Sequence, residues 1–334
     1  MQISVVIPTC NRKSRLLSLL ANLNRSTYPV TEVIVVDSGT DRLTPLEYSI
    51  FSNLTILYLD AERSVCVQRN IGIRTARSPW IFICDDDIEV PTEYLYKLAQ
   101  HIGKHPSAGA VSGIVLERQH GEWERSYDIS SAKELLLKYI FQLSIWGNIV
   151  CKQNNFIVRG IKKYYAGKGN HISKAGWPVV TDFSGDFFIT PVYGLGASLI
   201  RKTWLEFSPY DEILDQHGIG DNYGVAIGFP EVGVHVLNDA CVYHHHEQAN
   251  RLEKPLQSYR RALALDYFIK TKKNIQHVKK QWLLWSLFGN LFICIFKMDK
   301  IAIDAAFKTF SLILSGRNPY YDHVKETLTA ESIN

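Results

Sequence analysis

A doubly wound α/β domain with a mostly parallel sheet, followed by a C-terminal amphipathic helical appendage, is the fold class that three features of this 334-residue chain predict. Short β-branched runs alternate with helical periodicity near the N-terminus, polar residues close each run, and from Arg251 the composition turns basic and apolar together. Such alternation builds parallel sheets, whose ligands sit outside the carboxyl ends of the strands.

Ile3–Thr9 and Glu32–Asp37 have the length and branching of buried parallel strands. Between them Leu16, Leu17, Leu19, Leu20 and Leu23 give a helix one apolar face, with Asn11 as its expected N-cap and the first turn opening at Arg12. A third run, Leu54–Leu59, and a fourth, Trp80–Cys84, are separated by a helix around Val65–Ala76. Pro8-Thr9, Asp37-Ser38-Gly39 and the triplet Asp85, Asp86, Asp87 fall at the ends of these strands. Their convergence predicts a nucleotide site that has no Gly-x-Gly-x-x-Gly fingerprint.

Three adjacent carboxylates repel one another, and after a buried strand they are costly unless a cation or hydrogen-bond donors offset them. Taken in isolation such a triplet reads as a solvated turn. Its place at the end of a strand points instead to a hard divalent metal, Mg²⁺ or Mn²⁺, which takes carboxylate oxygen and completes its shell with water and substrate phosphate.

The ordered pieces Val5–Arg12, Val35–Asp41, Arg69–Ile73 and Phe82–Ile88 resemble the successive signatures of family 2 glycosyltransferases, inverting, nucleotide-sugar-dependent enzymes of the GT-A fold. The resemblance continues through Ala110–Gly113, Gly194–Lys202, Tyr210–Glu212 and Gly220–Gly224, covering residues 1–116 and 193–250. It implies a GT-A domain in two halves, 1–116 binding the nucleotide sugar and 193–250 carrying catalysis, with a variable acceptor-side segment at 117–192. Carried over residue by residue, it implies that Pro8, Thr9 and Arg12 border the nucleotide and that Asp37 meets the base. Asp85 then meets or flanks the ribose, Asp86 lies in the same donor site, and Asp87 is the metal ligand that bridges to the diphosphate. Arg69 either adds a fixed positive charge nearby or lies on the surface of its helix, while Asn70 and Gly72 pack that helix against the sheet.

Inverting transfer needs a carboxylate to take the acceptor proton. Asp221 is the expected base, with Asp215 as the fallback and a helix N-cap as the bland alternative for Asp221. Where the family usually has an acidic pair, this chain has Asp221 between Gly220 and Asn222. His244, the first of three consecutive histidines after an expected edge strand at Asn238–Tyr243, matches the family's second protein ligand to the metal. Its neighbours His245 and His246 compete for that role.

In the 117–192 segment a helix is expected at Ser130–Ile145, and a polar stretch runs from Lys152 to Gly176. Trp177, Asp182 and Asp186 are the acceptor-side residues this stretch offers; Tyr164, Tyr165 and Phe183 either stack on sugars or pack the loop. Between Arg251 and Lys300 eleven Lys or Arg stand against three Asp or Glu, whereas the whole chain carries only +4. Lysines flank the apolar run Trp282–Phe296, which is shorter than the roughly 20 residues of a spanning helix. An interfacial helix on anionic lipid suits it, with a second at 302–314; packing on the catalytic domain or across a homo-oligomer interface is the alternative.

Six cysteines without Cys-x-x-Cys spacing and a first strand that starts at once suggest a reducing, cytoplasmic setting, peripheral on the inner face of the membrane. The acceptor expected is a glycan or lipid-linked glycan of surface polysaccharide or glycoconjugate synthesis. Nucleic acid is not an expected partner, because the basic residues flank an apolar run rather than form a recognition module. A nucleotidyltransferase would carry a glycine-rich, basic loop where this chain has Pro-Thr-Cys-Asn-Arg. The remaining rival is a non-catalytic scaffold that only binds nucleotide sugar.

Overall fold

The computed structural model describes residues 1–119, 121–125, 127–214, 216–231, 233–245 and 252–321. The chain divides into two compact units, 1–125 with 183–250 and 126–182 with 251–334.

In the first unit, β1 (Ile3–Thr9), α1 (Lys13–Asn24), β2 (Glu32–Asp37), β3 (Ile56–Asp60), α2 (Val65–Thr75) and β4 (Trp80–Cys84) follow one another. They form a parallel block, β3-β2-β1-β4. Every residue of β1, β2 and β4 is buried, as strands covered on both faces require. Register places Thr9 beside Asp37 and Asp37 beside Asp60, so the polar ends lie level.

Beyond β4 the sheet is mixed rather than parallel throughout. The strands β5 (Ala110–Gln119), β6 (Phe187–Thr190), β7 (Ala197–Arg201) and β8 (Val234–His244) extend it in the order β4-β7-β5-β8-β6. β7 runs antiparallel to both β4 and β5, and only the β5–β8 pair is parallel. β8 is therefore an internal strand, not the edge expected at Asn238–Tyr243: β6 pairs outside its first half, Val234–Leu237, and the short strand Ile88–Glu89 pairs with Tyr243 and His244. A bulge between Leu237 and Cys241 re-aims its second half.

Asn11 does not cap α1. Arg12 holds that position without a side-chain capping bond, while Asn11 adopts a φ of +54° and its amide oxygen accepts from the backbone of Thr40 at 2.7 Å. It ties the β1 and β2 turns together instead. Ser64 does cap α2, accepting from the backbone of Val67. Gly72 lets α2 lie on the sheet, since a Cβ there would stand 2.3 Å from Val6 Cγ1.

In the second unit the helix Ala132–Ile140 starts after the Ser131 cap, and the polar stretch after Lys152 contains a further helix, Phe156–Lys168. Ile129, Leu135, Ile145, Val158, Ile161 and Tyr165 make its core. Helices Lys254–Thr271, Lys280–Phe296 and Lys300–Leu314 complete the unit. Trp177 donates its indole N–H to Ser286 Oγ at 2.8 Å, and Phe141 packs against Gly289, where any Cβ would lie 2.1 Å from its ring. Among the described residues no helix is long and apolar enough to cross a membrane.

Candidate active site

The carboxyl ends of β1, β2 and β4 bring the expected residues of the first unit into one polar cluster. Arg12 lies at its centre, donating to Asp86 Oδ1 at 2.8 Å and to Asp87 Oδ2 at 3.2 Å. Thr9 Oγ1 donates to the other oxygen of Asp86 at 2.7 Å. Asp86 is thus held by the protein, and burial raises its pKa to about 6 against the pull of Arg12. Asp37 accepts from Gly39 N at 2.7 Å and from the hydroxyl of Tyr58, which fixes its carboxylate at the end of β2. Pro8 is a buried strand residue paired with Val36. Gln68, on α2, donates to the carbonyls of both Thr9 (2.8 Å) and Val36 (2.7 Å), pinning the two strand ends together.

Arg69 is not a surface residue. Its side chain is 4% exposed, and its guanidinium bridges Asp85, at 2.5 Å, and Asp221. The ring of Tyr210 lies 4.9 Å from its Cζ. A delocalised, forked cation can satisfy two carboxylates and an aromatic face at once, which a lysine cannot. Asn70, on the same helix, grips the loop that carries Tyr210, through Tyr210 O and Glu212 Oε1 at 2.8 Å each. Asp221 is the first residue of a short helix, α3 (Asp221–Ile227), preceded by Gly220 in a left-handed conformation (φ +101°). Burial raises the Asp221 pKa to about 6, although Arg69 opposes that shift. Asp215 lies outside the described residues.

At the end of β8, His244 reaches back to the triplet. Nε2 lies 3.2 Å from Asp87 Oδ1 and Nδ1 lies 3.4 Å from Glu117 Oε1 on β5. Burial disfavours its charged form, but the hydrogen bonds to the two carboxylates outweigh that and push its pKa up to about 10. His245 turns elsewhere, with Nε2 3.1 Å from Glu89, and His246 lies outside the described residues. A carboxylate oxygen and an imidazole nitrogen about 3 Å apart suit adjacent positions on one metal ion, and a carboxylate on the far nitrogen is the usual way to orient a ligating histidine. The donor set therefore fits Mn²⁺ or Mg²⁺. Among the described residues no group of three or more His, Cys, Asp or Glu is arranged to hold a metal.

Of the acceptor-side residues, Asp186 is exposed on the first unit, and its carbonyl accepts from Asn238 N on β8. Trp177 and Asp182 belong to the second unit. Trp177 tethers the C-terminal helices as described, while Asp182 lines an open cavity of about 460 Å³ with Asn148, Lys162, Tyr165 and Thr181. Phe183 packs edge-on against Phe188.

Glu117, Gln68, Tyr58 and Tyr210 escaped the sequence reading. Glu117 lies on β5 beyond the Ala110–Gly113 motif, and only its register opposite His244 reveals it. Tyr210 and Gly196 lay within recognised motifs but without a role. Gly196 clears space for a carboxylate, because a Cβ there would stand 1.9 Å from Asp85 Oδ2.

Residues 4–164 match the family model described as "Glycosyl transferase family 2". That stretch is similar to a family 2 glycosyltransferase domain. Two curated relatives agree: an uncharacterized glycosyltransferase of Haemophilus influenzae, 30% identical over 105 residues, and the uncharacterized glycosyltransferase YwdF of Bacillus subtilis, 31% identical over 104. Those matches cover 31% and 30% of this chain and only 36% and 38% of the relatives. Among solved structures, S. aureus TarS 1-349 superposes with a TM-score of 0.55 at 15% identity, covering 99% of this chain and 92% of that one. The same protein in complex with UDP-GlcNAc gives a TM-score of 0.54 at 16% identity, with the same coverage. At such identities the likeness is one of fold, the GT-A fold.

Proposed function

We propose that the protein is a metal-dependent, inverting glycosyltransferase that moves a sugar from a nucleoside diphosphate to a hydroxyl of a glycan or lipid-linked glycan. We assign it to surface polysaccharide or glycoconjugate synthesis, as a peripheral protein on the inner face of the membrane. The observation that carries the reading is the Asp221–Arg69–Asp85 bridge, which joins the expected base to the same triplet whose last member, Asp87, meets His244.

In this reading Asp87 and His244 hold the metal, with Glu117 orienting the imidazole. The ion, when bound, offsets the charge that grows on the departing diphosphate. Arg12 supplies a fixed positive charge beside the phosphates, and Thr9 with Asp86 keeps it aimed. Asp221 takes the proton as the acceptor oxygen attacks the anomeric carbon, the bond from that carbon to the phosphate oxygen breaks, and the nucleoside diphosphate leaves from the opposite face. Trp177, Asp182 and Asp186 are assigned to the acceptor side.

Calorimetric titration with UDP-, GDP- and dTDP-sugars, with Mn²⁺ or Mg²⁺ and then with EDTA, tests the donor site. Binding of one nucleotide class that needs metal and is lost in Asp87→Ala is expected; no binding under any condition refutes the donor assignment. The same titration on Gly196→Ala is expected to show roughly tenfold weaker donor binding, equivalent to about 1.4 kcal/mol, because the new methyl displaces Asp85. A transfer assay on the metal-loaded protein separates an enzyme from a scaffold that binds donor only.

A further inference from the structure

Among its described residues the second unit presents an apolar face that its own packing covers only in part, through Phe141, whose ring centroid lies 5.1, 6.3 and 6.1 Å from those of Trp285, Phe288 and Phe292. Along helix Lys280–Phe296 and just past it, Trp285, Phe288, Phe292, Ile295, Phe296 and Met298 are between 39% and 84% exposed. Their spacing of three and four residues places the first four on one stripe. The opposite side of the helix is buried through Leu283, Ser286, Leu287 and Gly289. On the next helix, Lys300–Leu314, Ile301, Phe307 and Leu314 are exposed as well. Single exposed apolar side chains need no explanation, but a contiguous set of this size on two successive helices marks a contact surface.

We infer that this face is a docking surface for an anionic phospholipid bilayer, entered by the aromatic stripe and held by lysines at its rim. The inference deepens the peripheral-membrane reading above and rests on it. Trp285 already donates its only N–H, to the carbonyl of Ile140 at 2.8 Å, so its ring can enter an apolar phase without leaving a donor unmet. Lys297 and Lys300 stand at the end of the stripe, and Lys133 lies over the ring of Phe296 at 5.7 Å. Asp299 and Asp304 are the acidic residues of this stretch, and the Asp299 carboxylate is engaged as a helix cap on Ala302 N at 3.0 Å. Neither helix is long and apolar enough to span, which favours lying on the surface. A second copy is a poorer occupant, because a two-fold contact sets the same patch against itself and would crowd lysine against lysine.

The test is co-sedimentation of the full chain with vesicles of phosphatidylcholine alone and of phosphatidylcholine with phosphatidylglycerol, at low and high salt. Binding to the anionic vesicles only, weakened by salt, is expected. Phe288→Ser with Phe292→Ser should cut the partition at least tenfold, and Lys297→Gln with Lys300→Gln should cut it roughly fivefold per lysine. Circular dichroism and nucleotide-sugar titration of both variants verify that they fold. Absence of vesicle binding, or variants that partition like the parent, overturns the proposal. So does a dimer, seen by light scattering, that the phenylalanine substitutions split. Donor binding without vesicle binding sinks only this inference; vesicle binding without donor binding sinks only the donor reading.

Discussion

Asp221→Asn is expected to lower the transfer rate by roughly 10²–10⁴-fold, the range a positioned general base contributes, while donor binding stays close to that of the parent. The carboxamide keeps the shape of the side chain but cannot accept the acceptor proton. Arg69 retains Asp85 at 2.5 Å, so the donor side of the cluster keeps its partner. Single-turnover transfer with calorimetry on the same samples separates the two effects; a matched loss in both would assign Asp221 to architecture. The pH profile is a second readout. Burial raises the Asp221 pKa to about 6, against Arg69, and the base acts only when ionised. The rate should therefore climb about tenfold per pH unit below 6 and level off above it, a limb that Asp221→Asn removes. The linkage sign is opposite for stability. A carboxyl whose folded pKa is raised stabilises the fold most at low pH, and that contribution is lost as pH rises through about 6. Ionising the base thus costs stability in the range where it can work.

Arg69→Met is expected to be the most destabilising of these substitutions, by about 3–5 kcal/mol, because it leaves the buried Asp221 carboxylate without its cation. Desolvation works against the Arg69 charge, but Asp221 and Asp85 outweigh it and hold the guanidinium firmly protonated. Without Arg69 the carboxyl of Asp221 loses what opposes the burial shift, so the acid limb of the pH profile should move to higher pH. Denaturant titration and the rate profile measure the two consequences. Arg69→Met combined with Asp221→Asn should cost less than the sum of the single changes, since the pair no longer leaves a charge stranded. Arg69→Lys is not a conservative rescue: one ammonium cannot bridge two carboxylates while lying against Tyr210. Equal stability in Arg69→Met would contradict the bridge as the organising contact of the site.

Much of this site is legible from local patterns. Strands β1, β2 and β4 announce themselves as β-branched runs, and each is followed at once by the polar residues that its carboxyl end presents. Asp85, Asp86 and Asp87 are adjacent in the chain, so no long-range information is needed to place them together. The approach of His244 to Asp87 is long-range in sequence and was reachable only through the family resemblance. Asn11 shows the limit of local reasoning: a good N-cap residue one position too early, drawn across to Thr40 by a loop that no helical window contains.

Periodicity and residue chemistry alone established an α/β sheet with polar strand ends, an acidic triplet suited to a phosphate-bound cation, and a basic, apolar C-terminal region. Both signals are local, because helical burial recurs every three or four residues, a strand buried on both faces reads as one short β-branched run, and charge repulsion acts between neighbours. Only the tertiary structure decided that Arg69 joins partners 16 and 152 residues away, that β8 lies inside the sheet with Glu117 behind His244, and that segment 126–182 packs with the C-terminal helices. Those contacts depend on which strands neighbour one another and on how loops close. A hydrophobic pattern states that a segment is buried, not against what.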